Sequence, residues 1–105
     1  MAEEEIIKEV LWSDSARISF DEIVFYLQTT WSEKETKRFI NRVSRMIATL
    51  KIHPEMCRAS KKRKNVLIGI LDKRTQIIYH YKAGKQQIEI LLFWSMKRNP
   101  AKLKY

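Results

Sequence analysis

The sequence predicts an α+β fold in which a helical hairpin packs on a twisted antiparallel sheet, with the element order β-α-α-β-β-β. Two segments, residues 14–30 and 33–51, carry apolar residues at helical spacing. Three later runs are rich in β-branched and aromatic residues and are separated by short polar loops. The 105 residues, 45% of them hydrophobic, are enough to bury one core, so we expect a single domain over residues 1–105.

Residues 5–12 are predicted to form the first strand. Apolar side chains fall on both of its faces, which is typical of an interior strand and not of an exposed edge. One face carries Ile6, Val10 and Trp12, and the other carries Ile7 and Leu11.

Residues 14–30 are predicted to form the first helix, because apolar residues from Ala16 to Leu27 recur along one side. The sequence offers two starts for it. Ser13 can cap the helix, whereas Ser19-Phe20-Asp21-Glu22 has the form of a capping box. The apolar stripe includes Ala16 and therefore favours the earlier start.

Residues 33–51 are predicted to form the second helix, which begins at the capping box Ser32-Glu33-Lys34-Glu35 and stops before Pro54. Its apolar stripe comprises Phe39, Val43, Met46, Ile47 and Leu50. Because only one or two residues separate the two helices, we expect them to fold back as an antiparallel hairpin.

Residues 65–71, 75–82 and 86–94 are predicted to form three strands. A turn at Asp72-Lys73-Arg74 and a glycine-containing loop at Ala83-Gly84-Lys85 connect them. Such short connections predict an antiparallel meander, joined by the first strand and covered on one face by the helical hairpin.

The charge of the chain is unevenly distributed. Residues 1–55 carry 8 basic and 10 acidic side chains, a net charge of −2, whereas residues 56–105 carry 13 basic and 2 acidic side chains, a net charge of +11. A basic half of this kind favours a polyanionic partner, either nucleic acid or an acidic protein segment.

Two basic clusters are candidates for that contact, although a solvated loop and an anchoring tail are the structural alternatives. The first comprises Arg58, Lys61, Lys62, Arg63 and Lys64, and Arg74 lies in the following turn. The second comprises Lys97, Arg98, Lys102 and Lys104, flanked by Trp94 and Tyr105. Cations interleaved with aromatic rings suit RNA, whose bases stack on the rings while its phosphates meet the cations.

Two further sets of residues are candidate sites. Tyr79 and His80 lie on a predicted strand, where with nearby arginines they could cleave RNA by acid–base chemistry without a metal, although a structural role is the alternative for His80. On the second helix, a basic face either meets solvent or receives acidic side chains of a partner. That face comprises Lys34, Arg38, Arg42 and Arg45.

Other classes of site have little support in the sequence. His53, Cys57 and His80 lack metal-ligand spacing, and neither a glycine-rich phosphate loop nor a nucleophile elbow is present, so we expect no metal and no cofactor. Cys57 is the only cysteine, and the first residues are acidic. With no apolar run near the ~20 residues of a membrane span, these features predict a cytoplasmic protein without a membrane partner.

Short motifs in a characteristic order run along nearly the whole chain. They are Leu11-Trp12-Ser13, Asp21-Glu22-Ile23-Val24, Tyr26-Leu27, Trp31-Ser32-Glu33-Lys34, Phe39-Ile40, His53-Pro54-Glu55-Met56, Ile77-Ile78-Tyr79, Ile88-Glu89-Ile90-Leu91-Leu92-Phe93-Trp94 and Lys97-Arg98-Asn99-Pro100. In this order and spacing the chain resembles the RelE/ParE toxin superfamily of bacterial type II toxin–antitoxin systems. The resemblance implies a helical hairpin on a twisted sheet and a cognate antitoxin with an acidic segment that folds on binding.

The resemblance leaves the target of the toxin open. RelE-like members cleave mRNA on the ribosome, whereas ParE-like members bind DNA gyrase without being catalysts. The segment Phe93 to Pro100 is similar to ParE-type and plasmid-stabilisation members, but Lys97 stands where those often have arginine, and the arginine is displaced to Arg98.

Three hypotheses therefore follow from the resemblance. As a gyrase inhibitor the chain would bind through Trp94, Lys97 and Arg98. As a ribonuclease it would use Arg58, Lys61, Arg63, Arg74, Tyr79, His80 and Arg98. An inactive relative, retained only as a binding module, is the third.

Overall fold

The computed structural model describes residues 7–95, and within them two helices lie on a five-stranded sheet. In chain order the elements are β1 (Glu9–Trp12), α1 (Asp14–Tyr26), a π-helical turn (Leu27–Trp31), α2 (Glu33–Ile52), β2 (Arg58–Ala59), β3 (Val66–Ile70), β4 (Thr75–Lys82), a 3-10 turn (Ala83–Lys85) and β5 (Gln87–Ser95). Neither helix within this range is long and apolar enough to cross a membrane.

The helical hairpin begins where the capping residues predict. The Ser13 hydroxyl accepts a hydrogen bond from the Ala16 amide (3.0 Å), which confirms the earlier start of α1. Ser19, the other candidate cap, lies inside α1, where its hydroxyl accepts from the Phe93 amide and fixes the helix to β5. The Ser32 hydroxyl accepts from the Glu35 amide at the start of α2.

The predicted meander is confirmed: β3, β4 and β5 pair antiparallel in the sheet order β1-β5-β4-β3-β2. β1 joins this sheet parallel to β5, which makes the sheet mixed. β2, which the sequence did not predict, is a two-residue strand paired with β3 at the far edge.

The prediction that the first strand lies in the interior of the sheet is wrong, because β1 is an edge strand. The apolar residues on its two faces have separate explanations. Ile7 is buried before the strand begins, and its amide donates to the Lys51 carbonyl at the end of α2 (3.0 Å). Leu11, on the same alternation, is exposed, whereas Val10 and Trp12 pack against the core.

The two faces of the sheet carry different cores. The helices cover the first face, where Ile77, Tyr79 and Phe93 pack with Phe39 and other apolar side chains of α2. The opposite face carries a smaller cluster, namely Val66, Ile68, Ile78 and Trp94, with Leu91 and Leu92 at its margin. The pairing of β4 with β5 shifts register between Ile78 and Tyr79. This shift sets which face each following residue of β5 takes, so that Phe93 lies on the helix-covered face and Trp94 on the opposite face.

Candidate functional site

The sheet register brings two basic segments, distant in sequence, to one end of the molecule. Because β3 and β4 are antiparallel, Val66 lies opposite His80, and the Tyr81 amide donates to the Asn65 carbonyl (2.9 Å). The basic loop before Asn65 therefore meets the β4–β5 hairpin. We call this region the hairpin end. It comprises Lys61, Lys62, Arg63, Lys64, Asn65, His80, Lys82 and Lys85.

His80 is the central side chain of the hairpin end. Alternation along β4 places it on the sheet face away from the helices, and its Nδ1 atom is buried without a hydrogen-bond partner among residues 7–95. Burial lowers the pKa of His80, and the positive charges of Arg63 and Lys82 lower it further, whereas Glu89 opposes them. These surroundings therefore favour the neutral form of His80.

A cavity of about 390 Å³ opens beside His80 at this end. Its lining is mostly polar and comprises Glu55, Asn65, His80, Tyr81, Lys82, Ala83, Gly84 and Lys85. Glu89 lies opposite His80 in the sheet, and its carboxylate is 3.3 Å from the Lys82 ammonium. The arrangement places the ammonium groups of Lys82 and Lys85 at a cavity where they can attract an anion.

Tyr79 does not share this surface with His80. Its ring is fully buried on the helix side of the sheet, and its hydroxyl donates to the Pro54 carbonyl (2.8 Å). Burial, together with the neighbouring Cys57 thiol, raises the pKa of Tyr79 well above its usual range. The predicted acid–base pair is thus separated by the sheet, and the contacts of Tyr79 are those of a core residue.

Arg74 lies at the other end of β4, which we call the turn end (Trp31, Arg42, Asp72, Lys73 and Arg74). Its guanidinium stacks 4.0 Å from the centroid of the half-exposed Trp31 ring. The Asp72 carboxylate accepts from the Arg74 and Thr75 amides and lies 3.4 Å from the Arg42 guanidinium. The predicted cations are therefore divided between two ends of the sheet.

A second cavity, of about 260 Å³, opens at the turn end between α1, α2 and the ends of β4 and β5. It is lined by Glu22, Ile23, Tyr26, Leu27, Phe39, Asp72, Arg74, Thr75 and Ser95. Its walls combine aromatic and aliphatic side chains with one arginine and two carboxylates, which suits an amphipathic protein segment.

The arginines of α2 lie beside the turn end. Arg38, Arg42 and Arg45 are exposed and follow the spacing of one helix side. Arg38 pairs with Glu35 (3.3 Å) and Arg42 with Asp72, whereas within residues 7–95 no carboxylate pairs with Arg45.

The C-terminal candidates are only partly described. Trp94, predicted as a contact residue, is 8% exposed and packs in the smaller apolar cluster, so its ring is part of the folded core. Lys97 and Arg98, like Lys102, Lys104 and Tyr105, lie outside the described residues.

The sequence prediction missed the residues that surround His80 at the hairpin end, namely Asn65, Lys82, Lys85 and Glu89. The signal was present, because closing the turn at residues 72–74 pairs residue 66 with residue 80 and so joins the two basic segments. In the part of the chain that the structure describes, no three His, Cys, Asp or Glu side chains cluster as metal ligands would.

Solved structures of toxin–antitoxin proteins share this fold. The chromosomal ParDE toxin–antitoxin system from P. aeruginosa gives a TM-score of 0.68 at 12% identity, covering 85% of this chain and 96% of that one. The YoeB/ParE toxin from Agrobacterium tumefaciens gives 0.61 at 12% identity, covering 83% and 96%. At such identities the likeness concerns the fold alone.

Sequence comparison identifies the family. No curated protein sequence is significantly similar to the chain. The sequence profile of the ParE toxin of type II toxin–antitoxin systems (parDE) matches residues 10–100, from β1 to beyond β5. The chain therefore belongs to the ParE toxin family of type II toxin–antitoxin systems, whose members act with a cognate antitoxin.

Proposed function

We propose that this toxin is a non-enzymatic inhibitor of DNA gyrase that its cognate antitoxin neutralises in the cytoplasm. The observation that carries the proposal is the ParE profile, which matches the chain as far as residue 100 and so includes Lys97 and Arg98. The burial of Tyr79 supports it, because this residue was half of the acid–base pair that a ribonuclease would use.

Gyrase inhibition can be tested with the purified chain in a DNA supercoiling reaction. We expect inhibition in proportion to toxin, and a loss of at least about tenfold in potency for the double variant Lys97→Ala/Arg98→Ala, as for contact residues of a protein interface. Lys102→Ala/Lys104→Ala removes the same charge from the same segment and is the matched control. Normal supercoiling in excess toxin would exclude this target.

The antitoxin, in our proposal, covers the turn end and the neighbouring side of α2. An acidic segment can pair there with Arg38, Arg42 and Arg45, while an apolar side chain enters the cavity beside Arg74 and Trp31. This combination of charge and apolar pocket is typical of surfaces that bind an amphipathic peptide.

The antitoxin surface is tested by charge reversal on α2. Arg38→Glu/Arg45→Glu should weaken antitoxin binding by at least about tenfold, because opposed charges become like charges. Lys37→Glu/Lys51→Glu makes the same charge change on another side of the same helix and should bind nearly as the parent does. Equal weakening by both variants would argue against this surface.

An endoribonuclease is the second candidate, and His80 is the observation that favours it. Its imidazole ring lines a cavity with Lys82, lies near Arg63 and is opposite Glu89 in the sheet. An imidazole and a carboxylate beside cations can move a proton and stabilise a phosphorane. Other groups of that site would then include Arg58, Lys61 and Arg98.

Expression of the chain without antitoxin separates these candidates. Early loss of DNA synthesis in pulse-labelled cells supports gyrase as the target. Early loss of protein synthesis, abolished by His80→Ala, supports mRNA cleavage. Growth without any arrest would identify the chain as an inactive member that retains only antitoxin binding.

A further inference from the structure

We propose that the hairpin end is a binding site for the backbone phosphates of a nucleic acid. This site is separate from the protein target and the antitoxin surface proposed above. Two observations carry the proposal: cations without acidic partners, and a cavity lined by lysines at the same end of the sheet.

The cations of the hairpin end are largely unpaired. Among residues 7–95, no carboxylate lies within ion-pair distance of Lys61, Arg63, Lys64 or Lys85, whereas Lys82 pairs with Glu89. On α2, by contrast, Arg38 and Arg42 each have an acidic partner. Packed like charges repel each other, and a polyanion that neutralises several of them relieves that repulsion and releases counterions.

The cavity lies among these cations. A phosphate group within it would approach Lys82 and Lys85, which line it together with the imidazole ring of His80. The carboxylate of Glu55 lies in the same lining and opposes an anion, so it limits the affinity of the site.

The shape and composition of the site favour a nucleic acid over an acidic peptide. Its cations are spread over two segments, the loop before β3 and the β4–β5 hairpin, which suits a ligand with regularly repeated charges. An amphipathic peptide needs an apolar anchor site, whereas the side chains that line this cavity are mainly charged or polar.

Fluorescence anisotropy with the full-length chain tests the proposal, using a labelled 20-base-pair DNA duplex and a labelled 20-nucleotide RNA as probes. We expect Lys64→Ala/Lys85→Ala to weaken binding about tenfold at low salt and to reduce the salt slope by nearly 2, as for two lost phosphate contacts. The matched control is Lys34→Ala/Lys37→Ala at the start of α2, about 30 Å away along that helix. Circular dichroism verifies the fold of both variants.

Glu55→Gln provides a test in the opposite direction. Removing this charge should tighten binding about threefold, because the carboxylate no longer repels phosphate. Comparing the affinities of the parent chain for the DNA duplex and for the RNA shows which nucleic acid the site prefers. A preference for either one supports the site. The proposal would be overturned if the chain bound neither probe. It would also be overturned if the hairpin-end variant and the α2 control variant lost equal affinity. A DNA supercoiling assay run in parallel tests the gyrase proposal by itself. Failure of one proposal can therefore be distinguished from failure of the other.

Discussion

Tyr79 and His80 are neighbours in β4, yet their side chains meet opposite environments because successive strand residues point to opposite faces. Tyr79 enters the core beneath the helices and donates its hydroxyl to the buried Pro54 carbonyl just after α2. That hydrogen bond ties the end of α2 to the central strand of the sheet. The Tyr79 hydroxyl therefore contributes to the stability of the fold.

Replacing Tyr79 with phenylalanine tests that role. The ring still fills its space, but the Pro54 carbonyl loses its donor, which should lower the free energy of unfolding by about 1–3 kcal/mol. Urea denaturation measures the change. Tyr26→Phe removes a hydroxyl from an exposed ring and is the control; a Tyr79→Phe variant as stable as Tyr26→Phe would contradict the structural role.

His80 predicts a pH dependence of stability. Its pKa in the folded protein lies below the ordinary value of 6.5, so the unfolded chain binds a proton there more readily. Above pH 6.5 both states are neutral and the full stability is present; as the pH falls from 6.5 toward the lower folded pKa, the free energy of unfolding decreases. The groups around this imidazole are Glu55, Arg63, Lys82, Lys85 and Glu89.

The variant His80→Gln should lack the decrease in the free energy of unfolding that His80 causes at acidic pH, because glutamine does not titrate. Chemical denaturation between pH 5 and pH 7.5 measures it. His53→Gln removes the other histidine of the chain and is the matched control. If parent and His80→Gln lose stability in parallel over this range, the burial of a neutral imidazole is not the cause.

At the scale of elements, Gly69 permits the close packing of β3 beneath α2. A Cβ atom at this position would lie 2.9 Å from the Cys57 sulfur and 3.1 Å from Ile77 Cγ2, with Met46 of α2 at 3.5 Å. Gly69→Ala should therefore destabilise the protein by about 1–3 kcal/mol, as expected for an overpacked core. Thermal or urea unfolding measures the loss.

A double variant identifies the cause of that loss. Adding Cys57→Ala to Gly69→Ala removes the nearest clashing atom, so the two changes together should cost less than the sum of the single changes. Gly84→Ala, where no atom lies within 4 Å, should be nearly neutral. Additive effects of Gly69→Ala and Cys57→Ala would show that contact with the sulfur is not the limiting one.

Local patterns predicted the elements well because each depends on a short-range rule. Ser13 and Ser32 cap their helices as the sequence indicated, and β4 has the predicted bounds. The edge position of β1 was not predictable in this way, since Ile7 owes its burial to the end of α2. The π-helical turn before Ser32 was not predictable either, because the spacing of apolar residues does not indicate such a turn.

The candidate site was predicted by residue type but not by arrangement. The cations and His80 were identified from charge and strand position, whereas their division between two ends depends on the register of β3 and β4. Arg74 was grouped with Arg63, yet it stacks on Trp31 at the turn end. Tyr79 was paired with His80 because both are polar neighbours, and the sheet separates them.

For the whole molecule, the unequal charge of its halves predicts how it meets its antitoxin. Residues 56–105 carry a net charge of +11, which should attract an acidic segment over a distance set by the Debye length. Between about 0.05 and 0.5 M salt, the association rate should fall at least about tenfold, while the dissociation rate changes less. Stopped-flow mixing with the cognate antitoxin measures both rates. An association rate independent of salt would mean that the turn-end cavity and Trp31, and not the charge, govern the encounter.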